Sequence, residues 1–475
     1  ILHDVVYESV TRKLRRVYHA AIANWLERRA EGREGEFATR IAEHFSRAGH
    51  DAERARWLVV AAHQARQSYA PEAAIRDYRE ALDVWKALPE DALDQQTLMD
   101  TLEGLGEALN TRGRYEEAVE AFEELLERAL ADQDRTAEAR GRHGLAVALA
   151  YKGDFRAGLE AAEAGAEAAR ALDDELLFVR CRWMQTWCLL RLGELPRAEE
   201  TATSVVAASQ ELGNEAQLAK AHNLSGVLQY TKGNYDAATS AFEQAAATFR
   251  AMSSGESVMP ILNNLGVLDE ARGRFAKAVE RYAEALEIAR AVGSRDGEMV
   301  YSSNLGMAKL GLGLTDEAES LFRSVIAMAT SGLNVLSETY RGLAEVLLSR
   351  GEPVAAQSAA LEALRLAVEA GAPDDEAGAW RLLGLVSGSV GKAVDASPAG
   401  IADSFDAKSC FAKAVALANE DEDESELARS LAAWGGWADD PSLVDRAAAL
   451  FDSLGVKREL ERWRTAGEAA RDSTV

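Results

Sequence analysis

The sequence contains little cysteine and little proline, with 3 Cys and 8 Pro in 475 residues. Cys181, Cys188 and Cys410 form neither a disulfide framework nor the paired spacing of a zinc site, so we expect buried core residues in a reducing compartment. The sequence also has no run of about 18 apolar residues and no signal peptide. We therefore predict a cytoplasmic protein that neither crosses a membrane nor is exported.

Basic residues are scarce relative to acidic ones. The chain has 53 Lys and Arg against 78 Asp and Glu, a net charge of −25. Because phosphate groups are bound by clustered Lys and Arg, the surface as a whole is unsuited to nucleic acid or to an anionic membrane. We expect neither as a partner, although a local basic strip is compatible with this total.

Motifs for catalysis and metal binding are missing too. The 7 His residues include no HExxH pair, and no nucleophile lies beside a base in the sequence. The segment VSGSVGKAV fails as a phosphate-binding loop, because Val386 stands where its first Gly is required and Ala393 where Ser or Thr is required. We expect no enzyme activity, no cofactor and no metal.

What the sequence does have is a phrase that repeats about every 40 residues. A chain of this length exceeds one ordinary core of roughly 250 to 300 residues, and its richness in Ala, Leu, Glu and Arg indicates helix. The repeat is marked by a glycine, with one shorter step at the end. Its positions are Gly113, Gly153, Gly193, Gly233, Gly273, Gly313 and Gly351.

Small and aromatic residues lie at fixed distances from this glycine. A small residue precedes it by seven positions, as at Gly266 and Gly306, and an Ala five positions after it is followed by an aromatic, as in Ala278 and Tyr282. We expect the periodic glycine to supply a left-handed corner between two antiparallel helices. The aromatic ring then fills the gap beside its small neighbours.

The stretch NNLGVLDEARGRFAKAVERYAEAL resembles the tetratricopeptide repeat, in a long form of about 40 residues instead of 34. The matching residues are Leu265, Gly266, Gly273, Phe275, Ala278, Tyr282 and Ala285. The resemblance implies an all-α fold, a right-handed superhelical solenoid of about ten stacked antiparallel helix pairs with lengthened helices.

Four segments follow from how well the repeat phrase fits. They are an N-terminal helical junction or cap at 1–54, the repeat array at 55–385, an insertion loop at 386–405, and terminal repeats with a capping helix at 406–475.

The first segment is similar to the junction after the nucleotide-binding and winged-helix modules of bacterial signal-transduction ATPases. The likeness is carried by His3, Asp4, Val5, Tyr7, Glu8, Arg15, His19, Ile22 and Ala23. It implies a sensor or scaffold region whose ATPase and effector modules lie upstream in the same polypeptide. The alternative is the N-terminal cap of a free-standing repeat protein.

The first helix of each tetratricopeptide pair lines an inner groove, so its exposed positions are candidate binding residues. Arg140, Arg180 and Lys220 form a basic rung that suits carboxylates, and the resemblance places Asn264 and Asn304 in a ladder that grips a peptide backbone. The whole predicted set is Arg140, His143, Arg180, Trp183, Trp187, Lys220, Asn223, Asn263, Asn264, Asn304 and Arg341. The alternative is structural: Arg pairing with Glu of the adjoining repeat, Trp in the core, and Asn bridging helices.

These observations predict a non-catalytic module that binds a peptide or protein segment with an acidic portion, in a groove between about residues 140 and 345. In the family context, that module is the sensing region of a larger signalling ATPase. Two alternatives remain open: a free-standing scaffold or adaptor, and a small-molecule sensor in which the insertion closes over the groove.

Overall fold

The computed structural model describes residues 7, 9–68, 70–89, 94–329, 333–420 and 423–454, except for the side chains of residues 333 and 334. Several residues of the predicted N-terminal junction, including His3, Asp4, Val5 and Glu8, lie outside the described residues. The predicted capping helix ELERWRTAGEAARD also lies outside them. The chain divides into two compact units, Ile1–Leu228 and Gln229–Val475.

Almost all of the described chain is α-helix, which confirms an all-α repeat solenoid. Consecutive helices pack against each other within residues 12–211 and within residues 235–453. The helices of the first unit are α1 (Arg12–Ala30), α2 (Glu34–Ala48), α3 (Asp51–Gln67), α4 (Pro71–Ala87), α5 (Gln95–Arg112), α6 (Tyr115–Asp132), α7 (Arg135–Lys152), α8 (Phe155–Ala171), α9 (Glu175–Arg191) and α10 (Leu195–Glu211).

The boundary between the units falls within α11 (Glu215–Thr231). The helices of the second unit are α12 (Tyr235–Ala251), α13 (Gly255–Ala271), α14 (Phe275–Val292), α15 (Arg295–Gly311), α16 (Thr315–Met328), α17 (Leu333–Ser349), α18 (Pro353–Ala370), α19 (Pro373–Val390), α20 (Ala407–Glu420), α21 (Glu424–Ala438) and α22 (Pro441–Ser453). From α3 to α15 each helix has 17 or 18 residues, which agrees with the lengthened helices that the 40-residue period predicts. Residues 51–453 contain ten pairs, as predicted, and α1 with α2 forms another.

The periodic glycines form the corner inside each pair, as predicted. All seven have φ between +67° and +101°, a region that residues with a Cβ adopt only with strain. A change of any of them to a residue with a Cβ would therefore strain the corner between the two helices of its pair.

A second left-handed corner joins one pair to the next, and the sequence did not reveal it. It falls at Gln133, Asp173, Gly213, Ser253 and Gly293, again at a 40-residue period. The following residue often caps the next helix: the Asp134 carboxylate accepts hydrogen bonds from the Thr136 and Ala137 amides at 2.9 and 3.0 Å. Because glycine is not required here at every copy, residue identity alone hides this period.

In several pairs the core is an aromatic ring held against a glycine. Phe122 and Phe322 are completely buried, and a Cβ at Gly106 or Gly306 would lie 2.6 Å from the nearest of these rings. These glycines therefore permit the close approach of the helices, as the spacing predicted. The three cysteines are buried as well, and burial raises the pKa of the Cys181 thiol to about 12.

The segment predicted as an insertion loop at 386–405 overlaps the end of a helix. Helix α19 continues through Val390 and ends at Gly391, whose φ is +68°. The residues that follow form a two-stranded antiparallel sheet, β1 (Val394–Asp395) and β2 (Ser404–Phe405), around a 3-10 turn at Ser397–Ala399. This turn packs against α18, the second helix of its pair.

Candidate functional site

The basic rung predicted from the sequence occupies equivalent positions of three first helices in the first unit, α7, α9 and α11. Arg140, Arg180 and Lys220 are all exposed. Arg140 lies 3.7 Å from the carboxylate of Glu103 on α5, which is the structural alternative for that residue. Among the residues that the structure describes, Arg180 and Lys220 have no carboxylate within ion-pair distance.

His143 lies beside these two cations, one turn after Arg140 on α7. Burial, followed by the charges of Arg180 and Lys220, lowers the pKa of His143 to about 3. Partial burial and the charge of Arg180 also lower the pKa of Lys220. The imidazole is therefore neutral at neutral pH, and the positive charge of this group of residues comes from Arg180 and Lys220.

A cleft of about 290 Å³ opens next to His143 in the first unit. Its lining includes Arg66, Glu103, Glu107, Arg140, His143 and Arg180. Arg66 pairs with Glu107 as Arg140 does with Glu103, and burial raises the pKa of Glu103 although Arg140 opposes the change. Two cations of the cleft are thus paired internally. The charge of Arg180 also lowers the pKa of Glu103, but Arg180 forms no ion pair among the described residues.

Asn110 also lines this cleft. The Asn110 amide nitrogen donates to the carbonyl of Gly144 at 3.3 Å, and the Asn110 Oδ1 is buried without a hydrogen-bond partner among the described residues. Sequence reasoning missed Asn110, Arg66, Glu103 and Glu107, because it began the groove at residue 140. The signal was available: Glu103 and Glu107 lie one turn apart on a first helix, one repeat before Arg140.

Trp183 and Trp187 stack on each other beside the unpaired cations. Their ring centroids are 6.2 Å apart and their planes differ by 14°, and the Trp183 indole N–H donates to the carbonyl of Lys220 at 3.3 Å. Both rings are partly buried against the core around Ala146 and Leu159. Each ring is therefore partly a core residue and partly exposed for binding, so the groove interpretation and the core interpretation both apply.

The remaining predicted residues of the second unit are engaged within the protein. The Asn304 amide donates to the Asn263 oxygen at 2.7 Å, and Asn264, like Asn223 of the first unit, already has an interaction partner. Arg341 lies 3.0 Å from Asp375, with both side chains largely buried. These residues fit the structural alternative, in which side chains of neighbouring first helices bridge each other.

Comparison with known families identifies the repeat. Models described as tetratricopeptide repeat match residues 101–136 and 257–331, and both segments show the glycine corner and the buried aromatic described above. The chain therefore contains tetratricopeptide repeats in these two segments. Tetratricopeptide arrays are typically non-catalytic and serve as protein-interaction or regulator-binding modules.

Solved structures of low sequence identity share this fold. A signal transduction ATPase with numerous domains, which carries a tetratricopeptide repeat sensor and comes from Pyrococcus horikoshii, matches with a TM-score of 0.52 and 15% identity. The match covers 78% of this tetratricopeptide chain and 54% of that one, so this chain spans about half of that protein.

Two further matches have lower scores. A Rap protein complexed with Competence and Sporulation Factor gives a TM-score of 0.49 at 14% identity, covering 79% of this chain and 99% of that one. The apo form of the quorum sensor NprR from B. thuringiensis gives 0.48 at 13%, covering 79% and 99%. No curated protein sequence matches this tetratricopeptide chain.

The described residues contain neither a membrane-spanning helix nor a metal-binding cluster. None of the helices in that part of the tetratricopeptide chain combines the length and apolar character needed to cross a bilayer. In the same residues, no group of three or more His, Cys, Asp or Glu side chains is arranged to hold a metal ion.

Proposed function

We propose that this chain is a non-catalytic interaction module whose first unit binds an acidic segment of a partner protein. The observation that carries the proposal is the pair Arg180 and Lys220, which have no carboxylate within ion-pair distance in the described part of the chain, beside the stacked Trp183 and Trp187. In a chain with 78 acidic residues, two adjacent cations without an acidic partner mark a surface that favours an external carboxylate.

The chemistry of these four residues suits such a ligand. A carboxylate next to Arg180 and Lys220 would relieve the repulsion between them and gain charge-assisted hydrogen bonds. The exposed parts of Trp183 and Trp187 supply apolar contact area, since indole rings bury a large surface with few rotatable bonds. Because His143 is held neutral, it can accept a hydrogen bond from a backbone amide of the bound segment.

The larger context is part of the same proposal. The fold shared with the P. horikoshii ATPase sensor and the N-terminal junction motif support a sensing region attached to upstream ATPase and effector modules. A free-standing cytoplasmic scaffold or adaptor is the alternative. The upstream coding sequence separates the two: a phosphate-binding loop there supports the signalling ATPase, and an initiator Met close to residue 1 supports the adaptor.

The small-molecule alternative draws no support from the insertion. The 3-10 turn at Ser397–Ala399 packs on α18, a second helix. Phe405 contacts the edge of Trp380 at 4.9 Å between centroids; Trp380 lies on the first helix α19, but its ring is 1% exposed and belongs to the core. An insertion that closed over ligand-binding residues would have to contact first-helix side chains that face the groove. We therefore retain the protein-segment proposal.

The experiment is capture of partners from a lysate of the source cell, with reciprocal charge reversal. The test variant is Arg180→Glu with Lys220→Glu, and the matched control is Lys152→Glu with Lys277→Glu, which reverses two exposed cations elsewhere. We expect a protein that the wild type and the control retain and that the test variant loses, with helical content equal in all three.

The decisive step uses the captured protein itself. Changing its contacting Asp or Glu residues to Lys should abolish binding to the wild type and restore binding to the Arg180→Glu, Lys220→Glu variant. Equal capture by all variants, or no restoration by the reciprocal change, would overturn the assignment of this surface.

A further inference from the structure

Helix α1, at the start of the first unit, has two apolar faces where one is sufficient for packing. Its inner face buries His19, Ala23, Leu26 and Ala30. The opposite face carries Leu14, Val17, Tyr18, Ile22 and Trp25, with exposed fractions of 42, 56, 51, 40 and 52%. Spacings of four, four and three residues from Leu14 through Tyr18 and Ile22 to Trp25 keep these side chains on one stripe of the helix.

The charge of this helix is opposite to that of the chain. Six basic residues lie on α1 against the single acidic residue Glu27; the basic residues are Arg12, Lys13, Arg15, Arg16, Arg28 and Arg29. The chain as a whole has a net charge of −25. A local excess of five positive charges, along an exposed apolar stripe, complements a surface that is acidic and apolar together.

The stripe borders a cleft of about 580 Å³ between α1 and α2. Tyr18, Ile22 and Trp25 line its apolar side, and Arg15 and Arg47 stand at its rim. Arg15 Nε is buried without a hydrogen-bond partner among the described residues, while the Arg15 guanidinium lies 4.9 Å from the centre of the Tyr7 ring. This cleft can accept an apolar side chain whose neighbours are carboxylates.

A pair of histidines forms the polar wall of the same cleft. The Nδ1 atoms of His19 and His44 are 2.8 Å apart, and the Tyr7 hydroxyl is 3.0 Å from His19 Nε2. The contact between His19 and His44 links α1 to α2 along this wall of the cleft.

We propose that an acidic amphipathic helix of a partner protein docks on the exposed stripe of α1 and the cleft beside it, together called the α1 cleft. From Leu14 to Trp25 the stripe is about 17 Å long at 1.5 Å per residue, which matches about three turns of a second helix. An apolar side chain of the docked helix enters the cleft beside Tyr18 and Trp25. Its Asp and Glu residues lie against Arg15, Arg47 and the other cations of α1.

Charge and shape exclude the other occupants. A second copy of α1 would place two strongly basic faces together, which is unfavourable. A flat bilayer surface cannot fill a concave cleft. The α1 cleft is a separate surface from the Arg180 and Lys220 pair, and it does not rest on the function proposed above.

The test uses the full chain and a displayed library of random 20-residue peptides. Enriched peptides should carry several Asp or Glu residues and apolar residues at three- and four-residue spacing. Replacing the stripe by Ile22→Glu with Trp25→Glu, or the rim by Arg15→Glu with Arg47→Glu, should each weaken binding at least about tenfold, as removal of central contacts commonly does.

Matched variants keep this result interpretable. Leu130→Glu with Lys152→Glu changes an exposed apolar residue and an exposed cation elsewhere in the first unit, and binding should be unchanged. For peptides that the α1 variants no longer bind, Arg180→Glu with Lys220→Glu should leave binding unchanged. Peptides bound at Arg180 and Lys220 show the opposite pattern, which separates failure here from failure of the proposed function. All variants are compared at equal helical content by circular dichroism.

Three outcomes would overturn the proposal: enrichment of peptides without acidic residues, binding that the α1 variants leave intact, or no enrichment at all. Vesicles of phosphatidylcholine with and without phosphatidylglycerol are run in parallel. Binding to the anionic vesicles that is lost in both α1 variants, with no peptide enriched, would assign the face to a membrane instead.

Discussion

The two compact units carry polar side chains on equivalent first helices, and they differ in how those side chains are paired. In the first unit, Arg180 and Lys220 have no carboxylate partner in the described part of the chain. In the second unit, Arg381 of α19 lies 2.6 Å from Glu426 of α21 and 3.3 Å from Glu345 of α17. One arrangement is open to a ligand, and the other links the first helices of three successive pairs.

Burial explains why the second arrangement must be paired. The side chains of Arg381 and Glu426 are 4% and 3% exposed, and an unpaired charge at such depth carries a large desolvation penalty. Burial alone would lower the pKa of Arg381, but Glu426 and Glu345 raise it above its ordinary value. The exposed cations of the first unit carry no comparable penalty, so they remain unpaired in the folded protein.

In a repeat array, charged residues on first helices either pair with a neighbouring repeat and stabilise the fold, or remain available to bind a partner. The repeat phrase fixes the glycine corners and the aromatic core, and it leaves the first-helix surface free to vary. A charged residue at that surface binds within the protein when a partner stands one repeat away, as Asp375 does for Arg341. It faces outward when the neighbouring repeat offers no counter-charge.

The largest expected effect comes from breaking the buried pair of the second unit. Arg381→Ala removes the buried cation between Glu426 and Glu345 and leaves the buried Glu426 with only Arg429, 4.0 Å away. We expect a loss of about 3 to 5 kcal/mol in the free energy of unfolding. Hydrogen exchange of the α17, α19 and α21 amides, followed in urea, would locate the loss, because repeats unfold in segments.

Two comparison variants sharpen this result. Arg365→Ala removes a surface cation that pairs with Glu362 on the same helix, and it should cost no more than about 1 kcal/mol. Arg381→Met with Glu426→Leu removes both charges and should be milder than Arg381→Ala. If Arg381→Ala were as mild as Arg365→Ala, the buried triad would not be the brace that its geometry indicates.

The next expected effect concerns His143, whose pKa depends on the charges of Arg180 and Lys220. Its folded-state pKa of about 3 lies below the ordinary value of about 6.5, so protonation favours the unfolded chain. Above pH 6.5 the imidazole is neutral in both states, so its titration does not reduce the free energy of unfolding. As the pH falls from 6.5 towards 3, the unfolded chain binds the proton and the folded chain does not, so the free energy of unfolding decreases. His143→Gln should remove this part of the acid sensitivity.

The same group distinguishes the role of Arg180. In an Arg180→Ala variant the pKa of His143 should rise towards its ordinary value, because one of the two charges that lower it is gone. Imidazole chemical shifts measured by NMR between pH 3 and 7 would follow the change. An unchanged midpoint would mean that burial alone sets the pKa and that Arg180 lies too far away to cooperate with Lys220.

Much of the fold could be predicted from the sequence because it repeats. Gly113 and its equivalents, Gly106 with Phe122, and Gly306 with Phe322 all depend on contacts within one helix pair or between adjacent pairs, and a fixed spacing reveals them. The corner at Gln133 and Asp173 escaped prediction, because several residue types reach positive φ when a capped helix follows.

The candidate site was predictable in part. The 40-residue period placed Arg140, Arg180 and Lys220 at equivalent positions, but it could not tell that Glu103 stands opposite Arg140 and that nothing equivalent stands opposite Arg180. The period also missed the pairing of Arg381 with Glu426, since the inserted residues between α19 and α20 disrupt the spacing there. Pairing depends on side-chain reach between helices, and periodicity fixes only which residues share a helix face.

The smallest expected effect on stability is the most informative for function. Arg180→Ala with Lys220→Ala removes two exposed cations that repel each other, so the free energy of unfolding should change by no more than about 0.5 kcal/mol, with a slight gain at low salt. Urea unfolding at low and at high ionic strength measures this difference. A loss above about 2 kcal/mol would mean that the two cations brace the first unit as Arg381 braces the second, and the proposed binding surface would lose its basis. A change near zero, together with loss of the captured partner, would separate binding from folding at these residues, which the buried triad of the second unit does not allow.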